Sequence, residues 1–267
     1  MVKKAVHPLL AIKNISVYRG ETPALRNFSW TVEPGQHWAV LGPNGSGKST
    51  LVQVLQGWLW PREGEMQVLG NLFGNDDVAE LRRRVAWVGA EAENEFPPNQ
   101  TVAEIAVSGT VGTLGVQFDI PDSQNRESAL EALRFLGMER LAARPFRALS
   151  HGQRRLTVIA RALAMRPDLL LLDEPAAGLD PIARERFLNR VSRLLRSNSK
   201  PLIIYITHHL EEILPGFTHV LCLRKGRIVM QGPKAKVLTS AVLRKVFGEP
   251  VTLNETNGRI WLRPDGP

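Results

Sequence analysis

Residues 42–50 read Gly42-Pro43-Asn44-Gly45-Ser46-Gly47-Lys48-Ser49-Thr50. This stretch fits the pattern GxxxxGK[ST], and it lies between a short apolar run and a helical pattern, as a phosphate-binding loop requires. Its glycines allow backbone N–H groups to converge on phosphate oxygens, and the helix that follows presents its N-terminus to the same anion. Lys48 is placed to reach the β and γ phosphates, and the Ser49 hydroxyl is placed to ligate Mg²⁺. The stretch predicts a site for a nucleoside triphosphate.

Two carboxylates follow a second apolar run, Leu169–Leu172. Acids are costly inside a core unless they are paired or bind a metal, and the carboxyl end of a parallel strand faces the ligand crevice. Asp173 is therefore the candidate for the Mg²⁺ shell. Glu174 is the candidate that polarises the attacking water, because phosphoryl transfer depends mainly on positioning and charge. The alternative is an ordinary acid pair at a helix N-terminus.

The order of the patterns predicts the fold class. Strand and helix patterns alternate, which indicates an α/β fold with a mostly parallel central sheet, preceded by N-terminal antiparallel β elements. Residues 91–164 have a mainly helical texture and are predicted to form an inserted α-helical subdomain. We expect residues 1–267 to form a single nucleotide-binding domain with a C-terminal β tail over 250–263. The predicted strands cover 10–18, 27–33, 38–41, 65–70, 85–88, 169–172 and 202–206, hairpins cover 220–231 and 251–262, and helices cover 48–56 and 181–196.

Composition narrows the classes of function only in part. The 267 residues carry a net charge of +8, which suits a nucleic acid, an anionic lipid or a nucleotide ligand, but the basic residues are spread along the chain as on a solvated surface. The single cysteine, Cys222, excludes an internal disulfide and suits a reducing compartment; we expect it to be packed in a buried strand. The apolar runs are too short to cross a bilayer, so a membrane role requires a partner chain.

Four further segments and one tyrosine complete a resemblance. Together with the phosphate loop and the acidic pair, they resemble, in the same order, the motifs of the ATP-binding-cassette (ABC) family. The segments are Leu149-Ser150-His151-Gly152-Gln153, similar to the family signature LSGGQ, then Ile159-Ala160-Arg161-Ala162-Leu163, Gly178-Leu179-Asp180 and Thr207-His208, with Tyr18 upstream. The resemblance implies an ATPase that works as a head-to-tail dimer, with each ATP between the phosphate loop of one subunit and the signature of the other.

The resemblance also assigns roles to individual residues. Ser150 and Gly152 would touch the γ phosphate across the interface, at a helix start that suits an anion. His208 would contact the same phosphate and orient the attacking water. Asp180 would couple the two sites, and Tyr18 would stack on adenine.

The resemblance extends to a subgroup and includes two departures. Trp30, the run 37–42, Trp60-Pro61, Leu69-Gly70 and the run 207–213 resemble soluble cassette ATPases of the molybdenum-associated ModF type. His151 replaces a glycine of the signature, and we hypothesise that its imidazole alters the pH response of the interface. Ala90 occupies the place of a glutamine that touches Mg²⁺ and senses the membrane partner. Glu91 is either a substitute oxygen ligand or a surface acid.

Two functions remain open at this point. The first is the ATP-hydrolysing subunit of an ABC transporter, a homodimer or a pair with another ABC ATPase, which powers a separate transmembrane permease from the cytoplasm or the cytoplasmic face of the membrane. The second is a stand-alone soluble ABC ATPase with a regulatory or nucleic-acid- or ribosome-linked role. The segment between Lys48 and Ser150 lacks the heptads of DNA-repair cassettes. A small-molecule kinase would not need Ser150 or His208.

Overall fold

The computed structural model describes residues 7–74, 76–89, 92–116, 121–197 and 201–264. The chain divides into two compact units: the first combines the residues up to Arg82 with those from Leu202 onward, and the second runs from Arg83 to Pro201. The strands are β1 Leu10–Arg19, β2 Thr22–Val32, β3 Trp38–Leu41, β4 Glu63–Val68, β5 Asn71–Leu72, β6 Val85–Val88, β7 Leu169–Asp173, β8 Leu202–Thr207, β9 His219–Arg224, β10 Arg227–Pro233, β11 Val251–Thr256 and β12 Arg259–Pro264. The helices are α1 Lys48–Leu55, α2 Val78–Arg84, α3 Val102–Ser108, α4 Ser123–Phe135, α5 His151–Ala164, α6 Pro181–Arg196, α7 Lys234–Val237 and α8 Ser240–Phe247.

The first unit contains an antiparallel and a parallel group of strands. The antiparallel sheet has the order β2-β1-β4-β5. In the parallel group, β3 lies between β8 and β9 and runs parallel to both, while β10 pairs antiparallel with β9. All four residues of β3 are buried, as is typical of a strand covered on both faces. The C-terminal pair β11 and β12 forms the predicted hairpin around Asn257 and Gly258.

The second unit combines two parallel strands with helices. Strands β6 and β7 pair in register from Val85 with Leu169 to Val88 with Leu172. The helices α3, α4 and α5 follow β6 and precede β7 in the sequence. They pack on one another. The predicted α/β class, with antiparallel N-terminal strands and an α-helical insertion, is confirmed, whereas the boundaries 1–267, 91–164 and 250–263 stay predictions.

The core of the first unit contains an aromatic row. Trp30 packs edge-on against Phe28 and Trp38, with ring centroids 6.3 and 5.3 Å apart, and Trp38 stacks on His219 at 4.7 Å. Such pairs stabilise a core beyond the area that they bury. Trp30 and Trp38 are therefore packing residues. Cys222 is buried in β9 as expected, and burial raises the pKa of its thiol to about 12.

In the described part of the chain, none of the helices has the length and apolar character needed to span a membrane.

Candidate functional site

The phosphate loop joins β3 to α1 in a conformation that requires glycine. Gly45 and Gly47 have φ angles of 73° and 108°, in the left-handed region that disfavours side chains. A Cβ atom on Gly42 would lie 2.5 Å from the backbone oxygen of Leu223, and one on Gly47 would lie 2.9 Å from that of Ala24. Neighbouring backbone therefore leaves no room for a side chain at Gly42 and Gly47, whereas at Gly45 the φ angle alone favours glycine.

Two polar side chains of the loop suit a phosphate group. The buried Lys48 donates from Nζ to the backbone oxygens of Gly42 and Pro43, at 2.9 and 3.2 Å, which holds its ammonium group at the loop. The residue Ser46 is only 2% exposed, and its hydroxyl lacks a hydrogen-bond partner among the described residues. A buried polar group without a partner is costly, and a phosphate oxygen is a suitable acceptor. The loop therefore fits the nucleotide that the sequence predicts.

The turn between β9 and β10 supports the loop from outside. The Gly226 amide donates to the Ser46 backbone oxygen at 2.9 Å, and the Gly226 oxygen accepts from the Arg26 amide at 2.9 Å. A Cβ atom on Gly226 would lie 2.5 Å from the Ala24 oxygen, so only glycine fits there. The sequence predicts this turn at Lys225-Gly226 but gives no sign that it contacts a loop about 180 residues earlier.

Tyr18 lies near the end of β1 and is half-buried. The guanidinium of Arg62 lies 4.9 Å from the centre of its ring, a cation–π contact that the sequence analysis missed. The neighbouring Arg19 donates to the side chains of Thr50 and Gln53 on α1, at 3.2 and 2.7 Å. These bonds connect the strand that carries Tyr18 to the helix of the phosphate loop. Stacking of Tyr18 on adenine stays a prediction.

His208 follows β8 at the end of the sheet from which the phosphate loop also leaves. Leu41, the last residue of β3, pairs with Thr207, the last residue of the parallel strand β8. Parallel strands in register bring the segments that follow them to the same edge. The first unit therefore brings together the loop and His208, whose ring packs against that of His209 with centroids 4.1 Å apart.

The acidic pair lies in the second unit, where β7 ends. Asp173 is the last residue of the strand, and both carboxylates are half-buried. Glu174 has a φ angle of 48°, which is left-handed and unfavourable for a residue with a side chain. Residues held in such conformations cluster at active sites, because the surrounding structure must offset a strain of roughly 1–3 kcal/mol. Glu174, the residue that the sequence predicts to act on water, is one of seven described non-glycine residues with a positive φ angle, and it directly follows the acidic strand.

The signature segment begins helix α5 in the same unit. Ser150 is the N-cap: its hydroxyl accepts from the Gln153 amide at 3.3 Å, while the Gln153 side chain accepts from the Ser150 amide at 3.0 Å. Asp180 similarly caps α6 by accepting from the Ala183 amide at 2.9 Å. A Cβ atom on Gly178 would lie 3.5 Å from Cε1 of His151.

The second unit thus brings the signature next to the loop that holds Asp180. A Cβ atom on Gly152 would lie 3.7 Å from Cδ2 of Leu179 and 3.8 Å from Cβ of Ala183. The start of α5 and the start of α6 therefore lie side by side. In each helix an oxygen side chain caps one N-terminal N–H group. At α5 the cap is a neutral serine, so the positive end of the helix dipole can still favour a bound anion.

A buried network connects the signature to the segment after β6. One oxygen of Glu93 accepts from Arg155 and from His151, each at 2.9 Å, and Arg155 also donates to the backbone oxygen of Gly89 at 2.7 Å. Sequence reasoning missed this network, because Glu93 resembles an ordinary loop acid. Ala90 and Glu91, which carry the departure from the family glutamine, lie outside the described residues.

Among the described residues, His, Cys, Asp and Glu side chains form no cluster of three or more that could hold a metal ion. Mg²⁺ in nucleotide sites is usually held by one or two protein oxygens together with phosphates and water. The exposed Ser49 and the half-buried Asp173 supply oxygens of this kind.

Comparison with known proteins identifies the family. The family model for ABC transporters matches residues 25–177, which include the phosphate loop, the signature and the acidic pair. The chain belongs to the ABC transporter ATP-binding family. It is therefore an ABC-type ATPase, which binds and hydrolyses ATP.

Several curated relatives are similar to this ABC ATPase over most of its length. An uncharacterised ABC transporter ATP-binding protein of Bacillus subtilis, YlmA, is 38% identical, with 95% of this chain and 96% of YlmA aligned. ModF of Escherichia coli is 33% identical over 81% of this chain and 44% of ModF. The energy-coupling factor ATPase EcfA2 of Streptococcus pneumoniae is also 33% identical, over 87% of this chain and 84% of EcfA2. The family is thus confirmed, whereas the ModF-type subgroup is one similarity among several.

Solved structures agree on the fold of this ABC ATPase. The protein cbiO1 of Clostridium perfringens, described as part of the ABC transporter complex cbiONQ, gives a TM-score of 0.77 at 27% identity, over 89% of this chain and 93% of cbiO1. MJ0796, a bacterial ABC transporter cassette solved as a dimer, gives a TM-score of 0.69 at 27% identity, over 84% of this chain and 98% of MJ0796.

Proposed function

We propose that this ABC ATPase powers transport through a separate membrane protein, as one half of a dimer that binds ATP at its interface. The main support is that the phosphate loop and the signature each lie at a helix N-terminus that suits an anion. In this proposal, each of them supplies one side of an ATP site. The relatives named as transporter ATPases and the cassette solved as a dimer support the same assembly.

The first unit supplies the residues that bind the triphosphate. Backbone N–H groups of the phosphate loop after Pro43 and the N-terminus of α1 surround the β phosphate, and Lys48 neutralises charge on the β and γ phosphates. The Ser46 hydroxyl, buried without a partner among the described residues, donates to a phosphate oxygen. Tyr18 stacks on adenine, with Arg62 against one face of its ring.

Three residues prepare the hydrolytic step. Glu174 accepts a hydrogen bond from the attacking water and aligns it with the γ phosphate. His208 contacts the same phosphate and orients the water. Lys48 stabilises the charge that spreads over the γ-phosphate oxygens in the transition state. Ser49 and Asp173 are the proposed ligands of Mg²⁺, which would neutralise phosphate charge when bound.

The partner subunit completes the site through its signature. The Ser150 hydroxyl accepts one capping bond and can still donate its own proton to the γ phosphate, and the N-terminus of α5 adds a favourable dipole. Gly152, which lies beside Leu179 and Ala183, is proposed to touch the same γ phosphate. Asp180, which lies beside the signature, couples the two ATP sites. Because each site needs both subunits, hydrolysis and dimer opening are linked.

The cellular setting follows from this assignment. The transmembrane permease is a separate chain, and the ATPase lies in the cytoplasm or on the cytoplasmic face of the membrane. Similarity to the ModF type is a further proposal, supported by 33% identity to ModF. Nucleic acid is not a partner in this proposal, and the net charge of +8 is assigned to a solvated surface.

The transport role is tested by trapping the partner. The Glu174→Gln variant should bind ATP and hydrolyse it very slowly, so it should retain whatever chain binds the closed dimer. We expect affinity purification from membranes with Mg-ATP to recover a polytopic membrane protein, and Lys48→Ala, which does not close, to recover much less. Recovery of ribosomes or nucleic acid instead of a membrane protein would favour the stand-alone ATPase.

A further inference from the structure

The segment from Thr207 to Pro215, called the switch segment here, carries His208 and contains a short 3₁₀ turn, Leu210–Glu212. It leaves the central strand β8 and then runs to β9. Its His208 side chain is half-buried and has to point toward the γ phosphate to fulfil its proposed role. The orientation of His208 therefore depends on what holds the backbone on either side of it.

An inner set of bonds fixes the start of the switch segment. Glu212, whose residue is 2% exposed, accepts from the Tyr205 hydroxyl at 3.0 Å and from the Thr207 hydroxyl at 2.8 Å. The Thr207 hydroxyl in turn accepts from the His209 amide at 3.0 Å. Hydrogen bonds to a buried carboxylate are strong and directional. These bonds close a tight turn from Thr207 to His209, and His208 is the central residue of that turn.

The C-terminal hairpin holds the switch segment from outside. Strand β12 packs against the 3₁₀ turn, and Nε of Arg259 donates to the backbone oxygen of Glu211 at 2.8 Å. At the tip of the hairpin, a Cβ atom on Gly258 would lie 3.2 Å from Cγ of Pro215. The Arg259 guanidinium also lies 5.3 Å from the centre of the Trp261 ring on the same strand, which limits its freedom.

We propose that the C-terminal hairpin positions the catalytic histidine, and that Arg259 is the positioning residue that connects the two. This inference rests on the proposed role of His208 in hydrolysis. Arg259 bonds to the backbone of Glu211, the residue next to Glu212. The Glu212 carboxylate orders the turn around His208. The hairpin therefore acts on the histidine through the backbone of the switch segment. The family model ends at residue 177, so the hairpin lies outside the region that it matches.

The test uses the full chain and three arginine variants. Arg259→Ala should lower kcat for ATP about tenfold with little change in KM, within the roughly 10²-fold that a misplacement of 1 Å can cost. Arg259→Lys should restore part of kcat, because its ammonium group can still donate to the Glu211 oxygen. Arg263→Ala is the matched control: it removes an exposed arginine from the same strand and should leave kcat unchanged.

Hydrogen exchange of backbone amides separates positioning from general damage. In Arg259→Ala, exchange in residues 208–215 should become faster while exchange in the phosphate loop 42–50 stays unchanged. Wild-type kcat in Arg259→Ala, or faster exchange throughout the first unit, would overturn the inference. His208→Ala tests the underlying role separately: if it keeps wild-type turnover, the proposed function of His208 fails whatever Arg259→Ala does to local exchange.

Discussion

A single oxygen of Glu93 contacts both Arg155 and His151, and the different burial of these two side chains predicts very different energies for the two contacts. The Arg155 side chain is 0% exposed and that of Glu93 is 2% exposed, so Glu93→Ala takes this carboxylate away from a fully buried guanidinium. Breaking a buried ion pair in this way costs about 3–5 kcal/mol. The His151 side chain is 51% exposed, so solvent screens its contact with the same oxygen, and His151→Ala should cost less than about 1 kcal/mol.

Urea denaturation followed by circular dichroism would measure both losses of unfolding free energy. The double variant Glu93→Leu with Arg155→Leu should lose less unfolding free energy than the sum of the losses in Glu93→Leu and in Arg155→Leu. The reason is that the double change removes both charges of the pair together. The reasoning would be refuted if His151→Ala cost as much as Glu93→Ala, or if Glu93→Ala cost less than about 1 kcal/mol. The expected contrast would mean that the signature histidine is free to serve the interface at little expense in stability.

Two further predictions concern the first unit. Lys48→Ala removes the ammonium group held at the phosphate loop and should weaken ATP binding by at least tenfold in a fluorescent-nucleotide titration; unchanged affinity would contradict the assignment of the loop. Cys222 should resist alkylation at pH 8.5 in the folded protein and react in urea, because burial raises the pKa of its thiol from 9.0 to about 12. Rapid labelling of the native protein at pH 8.5 would contradict this burial. The contribution of the buried Cys222 thiol to the free energy of unfolding should be complete below pH 9. It should be lost as the pH rises from 9 toward 12, because only the unfolded chain releases the thiol proton in that range.

The sequence predicts those parts of the site whose signals are local. The phosphate loop is recognisable because its glycines, its lysine and the following helix lie within about ten residues. The start of α6 is equally clear, because Pro181 stands at the first helical position and Asp180 supplies the cap. Strand β3 has the predicted bounds, because it coincides with a short apolar run. Helix α6 also has the predicted bounds, and its start is marked by the Asp180 cap.

The parts that could not be predicted depend on contacts between distant residues. Nothing in the local sequence pairs Glu93 with Arg155, or Arg259 with Glu211, because a single polar residue in a loop has the same local pattern whether it is buried or solvated. Strand β2 begins at Thr22, five residues before the predicted start, because pairing with β1 extends it through a stretch with weak strand character. Helix α8 was not predicted, although Thr239 supplies its N-cap by accepting from the Val242 amide.

The central claim is that two copies of this chain close around ATP, with the phosphate loop and the signature serine contributed by opposite subunits. Sedimentation velocity of Glu174→Gln with Mg-ATP tests it most directly, with Ser150→Arg in the same background as the control. We predict a dimer that forms only with Mg-ATP and that Ser150→Arg abolishes while each monomer still binds nucleotide. A Glu174→Gln chain that stays monomeric at saturating Mg-ATP, or a dimer that persists in the Ser150→Arg variant, would contradict the account.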